Sequence, residues 1–281
     1  MSYIKKLEKE AKKKNTILCF GLDPVIENFP KEIKGSNEKK IISFYSSIIE
    51  KAEKSNAPIA SLKPNYAFFA QYGFEGLQAL KKLIEKFKPK YTIILDAKRG
   101  DIGKTASAYA KEGYVFWEAD ALTLSPLMGK DSIEPYFEYF KKEKGAYLLC
   151  RTSNPAANDF LTQQMHSGEP LYSLILKKAL LWHQESLGFV VGATNIVDLK
   201  QILKQISDSK RKIPLLIPGI GTQGGSAKEV MGALRQYPSL LPIARINASS
   251  SIAYAYKRAG GNFAEAAVVE IQKLNQSLKL E

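Results

Sequence analysis

Residues 93–106 have the sequence IILDAKRGDIGKTA, and this stretch contains the unit from which the fold is predicted. An apolar, β-branched run of strand length passes directly into charged and glycine residues, and a segment with helical periodicity follows. The chain repeats the apolar run, so the predicted strands are 16–23, 59–65, 92–98, 121–126, 146–153, 188–194, 215–220 and 242–249. Helix-period segments accompany them at 37–55, 68–87, 103–117, 131–142, 171–186, 195–206, 225–236 and 261–276. This alternation predicts a parallel sheet, and eight repeats favour its closure into a (β/α)8 TIM barrel of the α/β class.

Length and composition agree with one such barrel. The chain has 281 residues, of which 45% are hydrophobic and 25% charged, close to the averages for globular proteins. Linkers rich in Pro, Gly or Ser do not interrupt the alternation, so we expect residues 1–281 to form a single barrel domain. The N-terminal MSYIKKLEKEAKKKN lacks the apolar core of a signal peptide and predicts an amphipathic first helix. We therefore expect a cytoplasmic protein that does not span a membrane.

The net charge of +13 permits nucleic acid, a membrane surface or a small anion as partner. Its lysines are spread over helix-like segments without interleaved aromatics, so solvated helix faces explain most of the charge. Cys19 and Cys150 lie inside apolar runs and are expected to be reduced core residues. His166 and His183 are the two histidines, too few for a His-rich metal site. We therefore expect neither a His-rich metal site nor a nucleic-acid partner.

Most of the predicted strands end in polar or turn-forming residues, namely Asp23, Lys63, Asp96, Lys98, Ser125, Ser153, Thr194 and the turn PGIGTQGG at 218–225. Barrel enzymes carry their active sites at the carboxyl ends of the strands. A doubly wound sheet would place its site there as well, so the pattern locates a site without deciding the architecture.

The densest group of charges is Asp96, Lys98 and Asp101. Residues two apart on a strand project to the same face, so Asp96 and Lys98 should both point into the barrel mouth. Burying such groups is costly unless they are paired or functional. A structural ion pair is the alternative for an isolated Asp-x-Lys, but Lys63 at the end of the second strand favours a site.

Two glycine-containing segments invite a phosphate-binding interpretation. The GDIGKT segment fails as a nucleotide-binding loop, because Lys98 stands where that loop requires glycine. The segment PGIGTQGGS at 218–226 leaves the seventh strand and enters a helix. Its backbone N–H groups would suit a phosphate, although a tight connection explains the glycines equally well.

Seven motifs occur in the same order as in a known family: GLDP (21–24), SLKPNYAFF (61–69), LDAKRGDIGKTASAYA (95–110), CRTSNP (150–155), VVGAT (190–194), PGIGTQGG (218–225) and INAS (246–249). With them the chain resembles the orotidine 5'-monophosphate decarboxylases, especially their longer branch in some bacteria and apicomplexan parasites. The Asp-x-Lys-x-x-Asp-Ile segment is shared with a wider suprafamily, so KPN and TSNP carry the specific resemblance.

The resemblance implies decarboxylation of orotidine 5'-monophosphate to UMP and CO2 without a cofactor, as the last step of pyrimidine nucleotide synthesis. It also implies a homodimer with shared sites. Asp96 and Lys98 would act from a site's own chain, with Lys98 protonating C6 of the ring and Lys63 helping to hold the charged array. Asp101, Ile102 and Thr105 would reach into the partner's pocket.

The remaining roles that the resemblance implies concern substrate binding. Asp23 and Lys63 would bind the ribose hydroxyls, with Asn65 beside them, and Ser153 would bind the pyrimidine. The phosphate would be bound by Gln223, Gly224, Ser249 and Ser250. The sequence departs from the family after INAS, where Ser250 replaces an arginine that binds the phosphate. Backbone N–H groups of Ser249 and Ser250 remain available, whereas Arg245 on the same strand would need an unusual path.

Three other functions are compatible with parts of the sequence. Suprafamily relatives such as hexulose-phosphate synthase and keto-gulonate-phosphate decarboxylase use Mg²⁺ and carry a carboxylate near the end of strand two. Lys63 in that place would repel a divalent ion. A non-catalytic, basic nucleic-acid-binding barrel would show salt-sensitive binding. A Schiff-base aldolase would use Lys98 or Lys63 as its nucleophile.

Overall fold

Eight parallel strands form a closed barrel in chain order, with the last strand paired to the first. The computed structural model describes residues 2–182, 184–221 and 224–280. Its strands are β1 Leu18–Leu22, β2 Ser61–Pro64, β3 Thr92–Arg99, β4 Ala121–Leu124, β5 Gly145–Arg151, β6 Leu187–Val191, β7 Leu215–Ile217 and β8 Arg245–Ala248. The predicted (β/α)8 fold is confirmed, and closure of the sheet excludes the doubly wound alternative.

Helices surround the barrel as the predicted alternation requires. They are α1 Tyr3–Lys14, α2 Asn37–Lys54, α3 Tyr66–Ala70, α4 Gly73–Phe87, α5 Gly103–Lys111, α6 Glu134–Phe140, α7 Leu171–Trp182, α8 Ile196–Asp208, α9 Ala227–Leu234, α10 Ser250–Ala253, α11 Tyr256–Ala259 and α12 Phe263–Leu278. The Ser36 hydroxyl caps α2 by accepting the Lys39 N–H, and Ser226 caps α9 in the same way. Within the described ranges, none of these helices combines the length and apolarity needed to cross a bilayer.

Several boundaries differ from those predicted. The segment 68–87 is divided between α3 and α4, because Gly73 adopts φ +59° and interrupts the helical path. The segment 103–117 is α-helical only to Lys111 and continues as a π turn over Glu112–Phe116. Seven of the eight predicted strands extend beyond the paired residues at their carboxyl ends, where the chain turns towards the barrel mouth.

The amino end of the barrel is closed by α1. This helix is amphipathic, as predicted, and buries Tyr3, Ile4, Leu7 and Ala11. The Tyr3 hydroxyl lies 2.9 Å from the hydroxyl of Tyr147 on β5. Lys6 donates to Asp120 at 2.6 Å. These contacts leave the carboxyl end as the open mouth of the barrel.

Buried side chains fill the barrel interior and the layer between strands and helices. All five residues of β1 and all four of β4 are buried, as expected for strands covered on both faces. Cys19 and Cys150 are free and buried, which confirms their prediction as reduced core residues. Burial raises the pKa of the Cys19 thiol to about 11. The thiol is therefore protonated near neutral pH.

Candidate active site

A cavity of about 380 Å³ opens at the carboxyl ends of the strands. Eight residues singled out in the sequence line it: Asp23, Lys63, Asn65, Asp96, Lys98, Ser153, Ser249 and Ser250. They come from β1, β2, β3, β5 and β8 or from the residues that directly follow these strands. Barrel closure therefore brings together side chains that are up to 227 positions apart, from Asp23 to Ser250.

Asp96 lies at the base of the cavity between two lysines. Lys63 donates to its Oδ2 at 2.9 Å, and Lys98 donates to its Oδ1 at 2.8 Å. Exposure of the side chains falls from 50% for Lys98 to 10% for Asp96 and 5% for Lys63. One ammonium therefore faces the open cavity, while the carboxylate and the second ammonium form its buried base.

Opposite charges decide the ionisation of this cluster. Burial favours the neutral form of Asp96, but the ammoniums of Lys63 and Lys98 outweigh it and hold the pKa of Asp96 well below its usual range. Burial also disfavours the charged form of Lys63, but Asp96 and Asp23 outweigh it and hold the pKa of Lys63 above its usual value. Asp96 and Lys63 are consequently an ionised pair near neutral pH.

The cluster depends on an irregularity in β3. Pairing with β4 runs through Leu95 opposite Leu122 and resumes at Arg99 opposite Leu124, with a register shift between them. Lys98 lies inside this bulge with φ +47°, a left-handed conformation that is uncommon for residues other than glycine. The bulge allows Lys98 to return its ammonium to Asp96, two residues earlier.

Asp23 and Asn247 offer hydrogen-bond acceptors beside this cluster. The Ser249 hydroxyl donates to Asp23 Oδ2. Asp23 Oδ1 and Asn247 Oδ1 are buried and lack a partner among the described residues, although both side chains line the cavity. Buried acceptors are nearly always satisfied in folded proteins, so these two are suited to ligand hydroxyl groups.

The opposite wall suits a flat, partly polar ring. Leu149, Val190 and Leu216 provide its apolar surface, and Ser153 and Asn154 provide polar groups. Buried Arg151 holds the segment after β5, since its guanidinium donates to Asp198 at 2.7 Å and to Asn158 at 2.8 Å. A Cβ on Gly192 would lie 2.7 Å from Ser153 Cα, so the residue that follows β6 approaches this segment closely only because it lacks a side chain.

The glycine-rich turn after β7 lies at the far end of the cavity. Gly219 and Ile220 line the cavity with Ser249 and Ser250. Gly219, Gly221 and Gly224 all have positive φ values, and the Gly225 N–H donates to the Gly219 carbonyl at 3.0 Å. Gly224 is exposed and does not line the cavity. Gln223 lies outside the described residues.

Asp101, Ile102 and Thr105 do not line the cavity of their own chain. Asp101 Oδ1 accepts the N–H of Ile102 at 2.8 Å. Ile102 is 54% exposed, and Thr105 is exposed on the first turn of α5. These three residues thus lie on an outer surface beside the barrel mouth.

Arg245 does not replace a phosphate-binding arginine. It is fully buried at the amino end of β8, where its guanidinium donates to the carbonyl of Ala244 at 2.7 Å and that of Leu7 at 2.8 Å. Strand β8 separates it from Ser249 and Ser250. The end of the cavity lined by Ser249 and Ser250 therefore receives no charge-assisted bond from this side chain.

Thr123 is a cavity residue that the sequence analysis missed. It lies in the apolar strand ALTL, two residues after Ala121, on an inward-facing position. A lone hydroxyl at such a position is a usable signal, because a buried hydroxyl needs a partner. Threonine is nevertheless common in strands, and its partners come from another strand.

Metal ligands are not grouped in the described part of the chain. Among its His, Cys, Asp and Glu side chains, no set of three or more is placed to hold an ion. His166 is exposed, and His183 lies outside the described residues.

Comparisons with known proteins agree with this geometry. Residues 16–258 match the family described as Orotidine 5'-phosphate decarboxylase / HUMPS. An orotidine 5'-phosphate decarboxylase of Verminephrobacter eiseniae is 38% identical, over 99% of this chain and 98% of the relative. One from Bordetella petrii is 40% identical over 91% of both chains.

Solved structures give the same relationship. Leishmania donovani OMP decarboxylase has a TM-score of 0.77 and 31% identity, covering 98% of this chain and 99% of that one. Leishmania donovani UMP synthase has a TM-score of 0.80 and 33% identity, and the match spans 56% of that longer chain. The sequence motifs, the barrel and the relatives that match over nearly their whole length all indicate the same family. The chain belongs to the orotidine 5'-phosphate decarboxylase / HUMPS family.

Proposed function

We propose that this chain decarboxylates orotidine 5'-monophosphate to UMP and CO2 in pyrimidine nucleotide synthesis, using its own side chains without a metal or coenzyme. One observation carries the proposal: a buried, ionised carboxylate, Asp96, lies between two lysine ammoniums at the base of a nucleotide-sized cavity. The family relatives named above are decarboxylases of this substrate, which supports the same activity here.

Like charge provides a driving force for loss of CO2. Asp96 stays ionised near neutral pH because two ammoniums lower its pKa. A substrate carboxylate placed about 4 Å from it would experience a repulsion of roughly 4 kcal/mol at an effective dielectric constant near 20. Departure of neutral CO2 removes that contact. The ground state is thereby destabilised relative to the transition state.

Lys98 stabilises the charge left on C6 when CO2 departs and then protonates that carbon. The C6–carboxylate bond cleaves, CO2 leaves, and the electron pair stays on C6 beside the Lys98 ammonium. One Lys98 proton then moves to C6, giving UMP and a neutral amine that regains a proton from solvent. The exposed half of the Lys98 side chain gives its ammonium access to both the cavity and water.

Contacts remote from C6 would hold the substrate in place. Asp23, Lys63 and Asn65 are assigned to the ribose hydroxyls, and Ser153 to the pyrimidine. For the phosphate we assign Gln223 and Gly224 of the β7 turn with the backbone N–H groups of Ser249 and Ser250. Binding energy from these groups would force the carboxylate against Asp96.

A homodimer would complete each site. Exposed apolar side chains flank α5, where Ile102, Val115, Phe116, Leu127 and Met128 are each more than half exposed. Such a surface favours a protein partner, and a second copy would bring Asp101, Ile102 and Thr105 towards the neighbouring cavity. With that Asp101, the two lysines and two aspartates form a neutral set. One domain over residues 1–281 and a cytoplasmic location also remain predictions.

The alternatives fit the charges less well. Lys63 and Lys98 already bind both oxygens of Asp96, so a divalent ion there would meet two cations instead of free ligands. This disfavours an Mg²⁺-dependent reaction on sugar phosphates. A Schiff-base aldolase needs a neutral amine, whereas the pKa of Lys63 is raised by Asp96 and Asp23 despite its burial.

A spectrophotometric assay with orotidine 5'-monophosphate tests the function. Wild type should consume the substrate equally well with and without a chelator. Lys98→Ala should lower kcat by about 10⁴-fold, the upper range for loss of a general acid. Lys204→Ala on α8, where the side chain is 71% exposed, is the matched control and should retain activity. Inactive wild type, or activity lost with chelator and restored by Mg²⁺, would contradict the proposal.

A further inference from the structure

We propose that Thr123 is a positioning residue that fixes Lys98 and Asp96 relative to each other for decarboxylation. The inference deepens the proposed function and rests on it. Thr123 lies on β4, and the two side chains that it connects lie on β3.

One hydroxyl makes both contacts. Thr123 Oγ1 accepts the backbone N–H of Lys98 at 2.9 Å and donates to Asp96 Oδ1 at 2.8 Å. Thr123 is 1% exposed, so water does not compete effectively for these bonds. Its single proton and its lone pairs suffice for both partners.

The ionised state of Asp96 decides which atom donates and which accepts in these two hydrogen bonds. An ionised Asp96 can only accept hydrogen bonds, so the Thr123 proton must point to Asp96. The oxygen lone pair is then left for the Lys98 N–H, which can only donate. Asp96 Oδ1 also accepts the Lys98 ammonium at 2.8 Å. Thr123, the Lys98 backbone, the Lys98 side chain and Asp96 thus form a closed ring of contacts.

The ring lies where the β3 backbone is irregular. The β3–β4 pairing shifts register between Leu95 and Arg99, and the Lys98 N–H bonds to the side chain of Thr123 instead of a β4 carbonyl. Lys98 has φ +47°, a conformation that persists when neighbouring contacts enforce it. Without the hydroxyl, Lys98 would relax towards the extended conformation and its ammonium would move relative to C6 of the substrate.

Two pairs of variants isolate the hydroxyl. Thr123→Val replaces the hydroxyl of wild type by a methyl group. Thr123→Ser and Thr123→Ala both lack the threonine methyl group, and only the serine variant keeps the hydroxyl. We expect Val and Ala to lower kcat by about 100-fold with KM nearly unchanged, since a 1 Å misplacement of a reacting group costs about that much. Ser should restore most of the activity lost in Ala. A residue that only supports the fold would not produce this pattern.

The contrary results are equally definite. A Val variant with wild-type kcat, a loss expressed only in KM, or a Ser variant as slow as Ala would overturn the positioning role. Circular dichroism checks the fold, and if Val does not fold, the Ser and Ala pair decides. Wild type without turnover would overturn the proposed function and this inference with it, whereas active wild type with unaffected variants would overturn the inference alone.

Discussion

Lys63 and Arg245 are buried cations at opposite ends of the barrel, and they have different partners. Lys63 near the carboxyl ends is 4% exposed and bonds to the carboxylate of Asp96. Arg245 at the amino end is fully buried, and its hydrogen bonds go to the main-chain carbonyls of Leu7, Pro242 and Ala244.

The pKa values of the two groups shift in opposite directions. Carboxylates outweigh burial and raise the pKa of Lys63, whereas burial dominates and lowers the pKa of Arg245. Neutral carbonyls can bind a cation and fix α1 against the barrel, but they create no charge that could act on a substrate. A buried charge thus indicates a reaction site when its partners are charges that face a cavity.

The largest expected effect is on activity at the carboxyl end of the barrel, where Lys98 of one subunit and Asp101 of the other would form one intact site. Lys98→Ala and Asp101→Ala homodimers should each be nearly inactive. Mixing them by refolding should restore about a quarter of wild-type activity, because half of the dimers are mixed and each has one intact site. Activity of the mixture measures the recovery.

A control separates this recovery from simple reassembly. Lys98→Ala mixed with Asp96→Ala should stay inactive, because both residues act from a site's own chain and each site retains one defect. Recovery in this control, or its absence in the first mixture, would contradict a shared site.

At the amino end of the barrel, a substitution should lower the free energy of unfolding without changing the rate of decarboxylation. Arg245→Met leaves the carbonyls of Leu7 and Ala244 without their buried donor, which should lower the free energy of unfolding by about 2 kcal/mol. The value of kcat should stay within about twofold of wild type, because the change lies at the far end of β8. Denaturant unfolding and the decarboxylation assay measure the two quantities. A large loss of kcat in the folded variant would remove the contrast between the ends.

The smallest expected effect is the pH dependence of the stability that Asp96 contributes to the fold. Because the pKa of Asp96 is lowered in the folded state, its ionisation stabilises the fold above the unfolded pKa, and that stability is lost as pH falls. The difference in unfolding free energy between wild type and Asp96→Asn should therefore narrow by about 1 kcal/mol from pH 5 to pH 3. Urea unfolding at each pH measures it. A constant difference would mean that Asp96 titrates normally.

The sequence by itself determined the features that depend on local period and composition. Alternating β-branched and amphipathic segments specify strands and helices, and the charges of Asp96 and Lys98 at the end of an apolar strand mark a site. The ordered motifs around Lys63, Asp96 and Ser153 identify the family. These conclusions require only neighbours along the chain.

Tertiary structure alone decided which distant residues meet. Packing of strands and helices gave Lys98 its contact with Thr123, left Asp101 outside its own cavity, and placed Arg245 against the Leu7 carbonyl of α1. The bulge in β3 likewise depends on its register with β4. Such contacts join residues far apart in sequence, so they follow from how strands and helices pack against one another and cannot be read from the period of any single segment.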